Sequence, residues 1–196
     1  LGALIGYLVG IEIIIVGAAC MAVGFLYNGG PLPLSRTPLG ELFAGGFLGF
    51  VLVTLSYYVH TRSLDPGAVL IGLPSFLLVA SILTVNNTCD LDGDRAAGRW
   101  TLSIVLGRRG GELVVYLLGA AGFGLALALG AVGVLPRWTM VPLAVAAILA
   151  AREYRGMHRR GYSHETKGPS MGSISRVFLL YTVAMVSSLA ISLIFS

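Results

Sequence analysis

Two stretches of this chain, residues 67–85 and 113–135, contain no Asp, Glu, Lys or Arg. Runs of that length meet the ~20 residues a helix needs to cross the hydrocarbon core of a bilayer. Helices also satisfy every backbone N–H and C=O internally, as lipid requires. The rest of the chain agrees, since only 11% of its 196 residues are charged, against about 25% in an average soluble domain. A soluble enzyme or binding module is thereby excluded. Neither Cys20 nor Cys89 sits in a C-x-x-C spacing, so neither a zinc site nor a disulfide framework is expected.

The apolar runs are 13–27, 40–60, 67–85, 112–135, 137–151 and 171–196, with 13–27 and 137–151 the shortest. Residues 1–10 read as the tail of a helix that begins outside the chain. The expected fold class is all-α: a polytopic transmembrane helical bundle with five full spans plus a partial N-terminal one, in a single membrane domain over residues 1–196. Asn28-Gly29-Gly30-Pro31 stops one run, and Pro74 is placed to kink another. Gly45, Gly46 and Gly49 suit close helix approach, as small residues do in membranes. Between 95 and 111 a polar connection is expected, with residues 101–107 as a short helix over its neighbours.

Alternating the loops between two faces segregates the cations. Arg62 and Arg137 fall on one face, and the other eleven of the thirteen Lys and Arg residues fall on the opposite face. Cytoplasmic loops carry such an excess, so the second face is expected in the cytoplasm of a multi-pass cell-membrane protein. A net charge of +4 is thus explained by topology and attraction to anionic lipid, and no nucleic-acid partner is expected.

One dense polar cluster ends an apolar run on that face: Asn86-Asn87-Thr88-Cys89-Asp90-Leu91-Asp92-Gly93-Asp94-Arg95, continuing to Gly98-Arg99. If the helix continues, Asp90 and Asp94 project from one face, four apart, with Asn86 and Asn87 one turn before them. Paired carboxylates at that spacing repel unless a cation joins them. Magnesium suits them, because it takes one or two carboxylates and completes its shell with waters and substrate phosphates. Arg99 follows one turn later, with a planar fork suited to phosphate. Asp92 points away and is expected in solvent. Three carboxylates in a solvated loop are the plain alternative for the cluster. An EF-hand fails, because counting from Asp90 its sixth and twelfth positions are Arg95 and Thr101 rather than Gly and Glu.

The pattern Asn86-Asn87-x-x-Asp90-x-x-x-Asp94-x-x-x-Gly98-Arg99-x-Thr101-Leu102, closing on Leu106-Gly107, resembles the second aspartate-rich motif of the UbiA superfamily of intramembrane prenyltransferases. The form is most similar to the branch that prenylates 1,4-dihydroxy-2-naphthoate in menaquinone synthesis. Tyr27-Asn28-Gly29-Gly30-Pro31-Leu32-Pro33-Leu34 and Pro38-Leu39-Gly40-Glu41-Leu42-Phe43 are similar to an earlier segment of that branch. The resemblance extends over essentially the whole chain, as helices four to nine of a nine-helix fold.

This resemblance implies a Mg²⁺-dependent transfer of a polyprenyl group from polyprenyl diphosphate to an aromatic acceptor within membrane lipid. It implies Asp90 and Asp94 as metal ligands and catalytic residues. Asn86 and Asn87 would position metal waters or substrate, and Arg99 and Arg36 would contact diphosphate. Tyr27 either faces a developing allyl cation, which an aromatic face attracts, or is an interface tyrosine. Glu41 either favours a helix N-terminus or binds acceptor. Cys89 stands where many relatives carry Arg, so a phosphate contact there would be lost. The family's first aspartate motif is absent from the chain. These 196 residues alone are therefore expected to be inactive, as the C-terminal two-thirds of such an enzyme with one of its two metal sites. The rivals are a transporter, a non-catalytic fragment, or a relative with another acceptor.

Overall fold

The computed structural model describes residues 1–195, and among these the regular elements are all helical. They are α1 (Gly2–Val9), α2 (Ile11–Asn28), α3 (Gly40–Thr61), α4 (Pro66–Cys89), α5 (Leu91–Ala96), α6 (Leu102–Ala131), α7 (Met140–Arg160) and α8 (Lys167–Phe195), with 3-10 turns at Leu34–Arg36 and Arg137–Thr139. Ser196, the last residue of the expected final span, lies outside the described residues.

Among the described residues, five helices are long and apolar enough to cross a membrane: α2, α3, α4, α6 and Lys167–Ser192 of α8. Five is also the number of full spans expected, with α1 as the partial N-terminal run, but the sequence delimits six runs after residues 1–10, and 137–151 is the one not matched by these five. The short run 137–151 forms a 3-10 turn and the first half of α7. The second half of α7 carries Arg152, Arg155, Arg159 and Arg160 and leaves it outside the five.

The core lies among α4, α6, α7 and α8. Leu78, Val85, Val115, Leu143, Met157 and Ile174 are all but inaccessible there. Helix α4 is the central element, packed against α3, α6 and α8. Helix α2 exposes Ile15, Met21 and Phe25, a surface suited to lipid tails. The start of α4 is fixed locally. Asp65 Oδ1 accepts from the backbone N–H of Gly67 (2.8 Å) and Ala68 (3.2 Å), and Pro66 occupies the first helical position. Pro is favoured there because its missing N–H has no partner to lose. Asp65→Ala is expected to lower stability by about 1 kcal/mol, read as a lower melting temperature in detergent, with Asp65→Asn close to wild type. An unchanged Asp65→Ala melting curve would refute the cap.

One expectation is corrected. The helix carrying Asp90 does not continue to Asp94: Asp90 adopts φ −90°, ψ 8°, closing α4 and opening α5. The short helix expected within 101–107 is present: Leu102 to Leu106 is helical, and a break at Gly107 (φ 73°, ψ 170°), a conformation glycine adopts without penalty, sets it off from the long remainder of α6. A further feature is unforeseen. Gly45–Val51 within α3 winds as a π-helix, a wider turn frequent near functional sites.

Candidate functional site

The polar cluster sits at the joint between α4 and α5. The Asp90 N–H donates to the Asn86 carbonyl (3.1 Å) and the Asp94 N–H to the Asp90 carbonyl (2.8 Å). Residues 86, 90 and 94 therefore stay in turn-by-turn register although the helix changes direction. The side chain of Asp94 is 8% exposed as a residue, with Oδ1 3.3 Å from Arg99 Nη1 and Oδ2 buried without any hydrogen-bond partner. Burial pushes the Asp94 carboxyl above the usual carboxylate range, and neighbouring Asp90 adds to the rise that Arg99 opposes. Asp90 differs. Burial also acts to raise its pKa, but hydrogen bonds from Lys167 and His164 outweigh it and hold the group below the usual range. Lys167 Nζ binds Asp90 Oδ2, and His164 Nδ1 lies 3.2 Å from Oδ1.

Gly98 (φ 70°) turns the chain back after α5, so that the Arg99 N–H reaches the Asp94 carbonyl at 2.9 Å. The next N–H, of Trp100, donates to the Arg36 carbonyl at 2.8 Å. This bond ties the loop after α2 to the loop after α5, and so places Arg36, whose side chain is exposed, beside the segment carrying Arg99. Asp92 is exposed and pairs with Arg108 at 2.6 Å, away from Asp90 and Asp94. Cys89 is buried in the core cluster. It packs among apolar side chains instead of facing the loops that hold Arg99 and Arg36.

Asn86 and Asn87 lead from the carboxylates toward α3. Asn86 Nδ2 donates weakly to Asn87 Oδ1 (3.4 Å), and Asn87 Nδ2 donates to Glu41 Oε1 (2.9 Å). A cavity of about 860 Å³ opens among α2, α3, α4 and Met171 of α8. Its wall is largely apolar, with Phe43, Phe47 and Leu83, and Asn86, Tyr27 and Asn28 supply polar groups at its edge. A volume of this size falls within the range of small-molecule and cofactor sites.

Asn86, Asn87, Asp90, Asp94 and Arg99 thus form one constellation, Arg36 borders it, and Tyr27 faces its apolar annex. Three residues join them that were not assigned to the site from sequence. Lys167 enters the sequence reading only as one of the eleven cations of the cytoplasmic face and His164 not at all, since no local spacing connects either to Asp90. Glu41 lies in the Pro38–Phe43 segment whose pattern had been noticed, yet its role was left open. Its burial and its bond to Asn87 bring it to the site. Among the described residues, no three His, Cys, Asp or Glu side chains converge as a ready-made metal cage.

The chain matches the model of the UbiA prenyltransferase family over residues 1–174. It is 42% identical to a 1,4-dihydroxy-2-naphthoate octaprenyltransferase of Bacillus subtilis over 96 residues, covering 49% of this chain and 31% of that protein. It is 32% identical to the protein of the same name from Mycobacterium tuberculosis over 198 aligned positions, covering 97% of this chain and 65% of that protein. A UbiA prenyltransferase domain-containing protein 1 homolog of Drosophila melanogaster is 32% identical over 123 residues, 63% of this chain and 33% of its own length. The aligned stretches cover from about a quarter to 65% of the length of the curated relatives compared. No solved structure matches it.

Proposed function

Because the chain belongs to the UbiA prenyltransferase family, we propose that it carries the second-aspartate part of an enzyme that moves a polyprenyl group from polyprenyl diphosphate to 1,4-dihydroxy-2-naphthoate in menaquinone synthesis. The observation that carries this reading is the unpartnered Asp94 oxygen, buried beside Arg99 and two backbone turns along from Asn86, which lines an apolar cavity. An unsatisfied buried carboxylate oxygen is costly, and a cation relieves it.

Mg²⁺ fits the donor set. Among the described residues the two carboxylates belong to no group of three or more His, Cys, Asp or Glu able to hold a metal, which leaves room for the waters and phosphate oxygens that this ion retains. Asp94 would hold it through its free oxygen, and Asp90 through an oxygen now shared with Lys167 or His164. Bound there, the metal supplies Lewis-acid neutralisation of the diphosphate leaving group.

The chain's own residues do the rest. Arg99 and Arg36 border the site as bidentate donors for diphosphate oxygens. Lys167, released from Asp90 when that carboxylate turns to a metal, offers a further ammonium. Asn86 and Asn87 orient waters or substrate. Tyr27 presents an aromatic face at the cavity edge where the allylic carbon would develop positive charge. The apolar cavity takes the first isoprene units and keeps water from them. Charge segregation favours a cytoplasmic position for the aspartate loops in the cell membrane, on the side where a diphosphate donor and an anionic acceptor are soluble.

The test uses the protein together with whatever its gene encodes before Leu1, reconstituted in lipid nanodiscs with labelled polyprenyl diphosphate. Prenylated naphthoate that forms with Mg²⁺ and disappears with EDTA is the expected result. Product with another hydroxy-aromatic acceptor alone would reassign the acceptor. No product with any acceptor would overturn the reading.

A further inference from the structure

Glu41 is the second buried acid with an unused oxygen. It is 4% exposed, at the first turn of α3. Its Oε1 accepts from Asn87 Nδ2 at 2.9 Å, while Oε2 is buried with no hydrogen-bond partner. Unlike the site aspartates, it has no cation within ion-pair distance among the described residues. A buried carboxylate with one oxygen idle is uneconomical as mere helix capping, since a carboxylate satisfies a helix N-terminus equally well from the solvent side.

The surroundings indicate what the idle oxygen is for. Residues 43, 44, 47 and 48, one to two turns along the same helix, line the cavity, and so does Asn86, bonded to the Asn87 that holds Glu41. The neighbouring Gly40 closes this end: a Cβ there would lie 3.5 Å from Leu83 and 3.8 Å from the Tyr27 hydroxyl. Glu41 does not itself line the cavity; it stands at the base of the helix whose next turns form the cavity wall, and Asn87 joins it to Asn86 at the cavity edge. In its ionised form the carboxylate only accepts, so a group meeting Oε2 is then a hydrogen-bond donor. A second anion, such as a diphosphate oxygen, would be repelled.

We propose that Glu41 is an acceptor-recognition residue: its free Oε2 takes a hydrogen bond from a ring hydroxyl of the hydroxy-aromatic substrate, with Asn87 fixing its rotamer. This rests on the prenyltransferase reading above and deepens it. The two carboxylate groupings then divide the substrates by charge. Asp90 and Asp94 need a cation and take the diphosphate end of the donor. Glu41 needs only a neutral O–H and takes the acceptor, held one helix away beside the cavity. The contact selects hydroxyarenes over their methyl ethers, since a site built to accept an O–H is left with an unpaired buried oxygen when the donor is missing.

The experiment uses full-length protein in nanodiscs and compares wild type with Glu41→Gln. The substitution keeps the side-chain shape and the acceptor for Asn87, but turns the other end into an amide donor. Binding of dihydroxynaphthoate and of its methyl ether is followed by the fluorescence of the naphthalene ring, without turnover. Wild type is expected to prefer the hydroxy form at least tenfold, and Glu41→Gln less than threefold. In turnover, Glu41→Gln raises KM for the acceptor about tenfold and leaves KM for polyprenyl diphosphate within twofold. Equal discrimination by both proteins, or a rise confined to the diphosphate KM, overturns the proposal. Loss of all prenyl transfer in wild type would instead strike the family-level reading, so the two failures are distinct. A Glu41→Gln melting temperature within 2–3 °C of wild type, about 1 kcal/mol or less, shows that folding is not the cause. A larger drop moves the comparison to Glu41→Asp, which keeps the charge but withdraws the oxygen and is expected to lose the same discrimination; retained discrimination in Glu41→Asp then refutes the contact.

Discussion

Asp94→Asn in the full-length enzyme lowers kcat for prenyl transfer by about 10³-fold, with donor KM changed far less. The size follows from what is removed. Metal stabilisation of a developing diphosphate charge is worth several kcal/mol, and each 1.36 kcal/mol is a factor of ten in rate. Asp94 bears the larger share of the pair because of its surroundings. Its Oδ2 is buried and free, whereas both oxygens of Asp90 are already occupied by Lys167 and His164. On the proposed assignment Asp90→Asn would remove a ligand too, but it would also free Lys167 to act on the diphosphate, so its loss is expected to be smaller, by about tenfold in rate. Asp92→Asn provides the control. That carboxylate is exposed and paired with Arg108, and such surface pairs are worth about 0–1 kcal/mol, so activity stays within about threefold. Steady-state kinetics over a Mg²⁺ titration separates the cases. Asp94→Asn retaining more than a tenth of wild-type kcat would sink the assignment of Asp94 to the metal.

How much of this arrangement can be read along the chain follows from how local each part is. The spans are local: charge-free runs such as 67–85 admit little besides a membrane helix, and α4 forms there. The Asp90–Asp94 pairing is local as well, and it survives the break at Asp90 because the backbone bonds 86–90 and 90–94 persist. Lys167 and Glu41 are different. Lys167 lies 77 residues from Asp90, and Glu41 lies 46 residues from Asn87, so both contacts arise from helix packing. A lysine opening a helix after a basic loop reads as one more topological cation until that packing is known. Arg36 is intermediate: its segment is recognisable, but only the Trp100 N–H bond to its carbonyl sets where it stands. The π-turn in α3 has a visible cause in the glycines at 45, 46 and 49, yet their spacing alone does not distinguish close packing from an extra-wide turn.

Gly49→Leu destabilises the bundle by about 3 kcal/mol, the upper part of the range for overpacking, and takes prenyl transfer with it. Without a hydrophobic driving force between helices, membrane packing depends on close backbone approach at small residues. Helix α3 meets α4 in this way. A Cβ on Gly49 would lie 2.6 Å from both the N and Cα of Phe76, and one on Gly45 would lie 2.6 Å from the Phe76 carbonyl oxygen. These obstacles are backbone atoms, so no rotamer change relieves them. Either α3 moves off α4 or the helix distorts. Moving α3 carries away Glu41, with its bond to Asn87, and the wall of the cavity at Phe43 and Phe47. Gly46 is the matched control: a Cβ there meets nothing within 4 Å, so Gly46→Ala is expected to be neutral, or to stabilise by up to about 1 kcal/mol through helix propensity. Melting curves in detergent read the first effect. The fluorescence titration with dihydroxynaphthoate reads the second, because a displaced α3 loses acceptor binding before the protein unfolds. A Gly49→Leu protein that melts and binds as wild type does would show that α3 is not seated on Phe76, and would remove the support on which the placement of Glu41 depends.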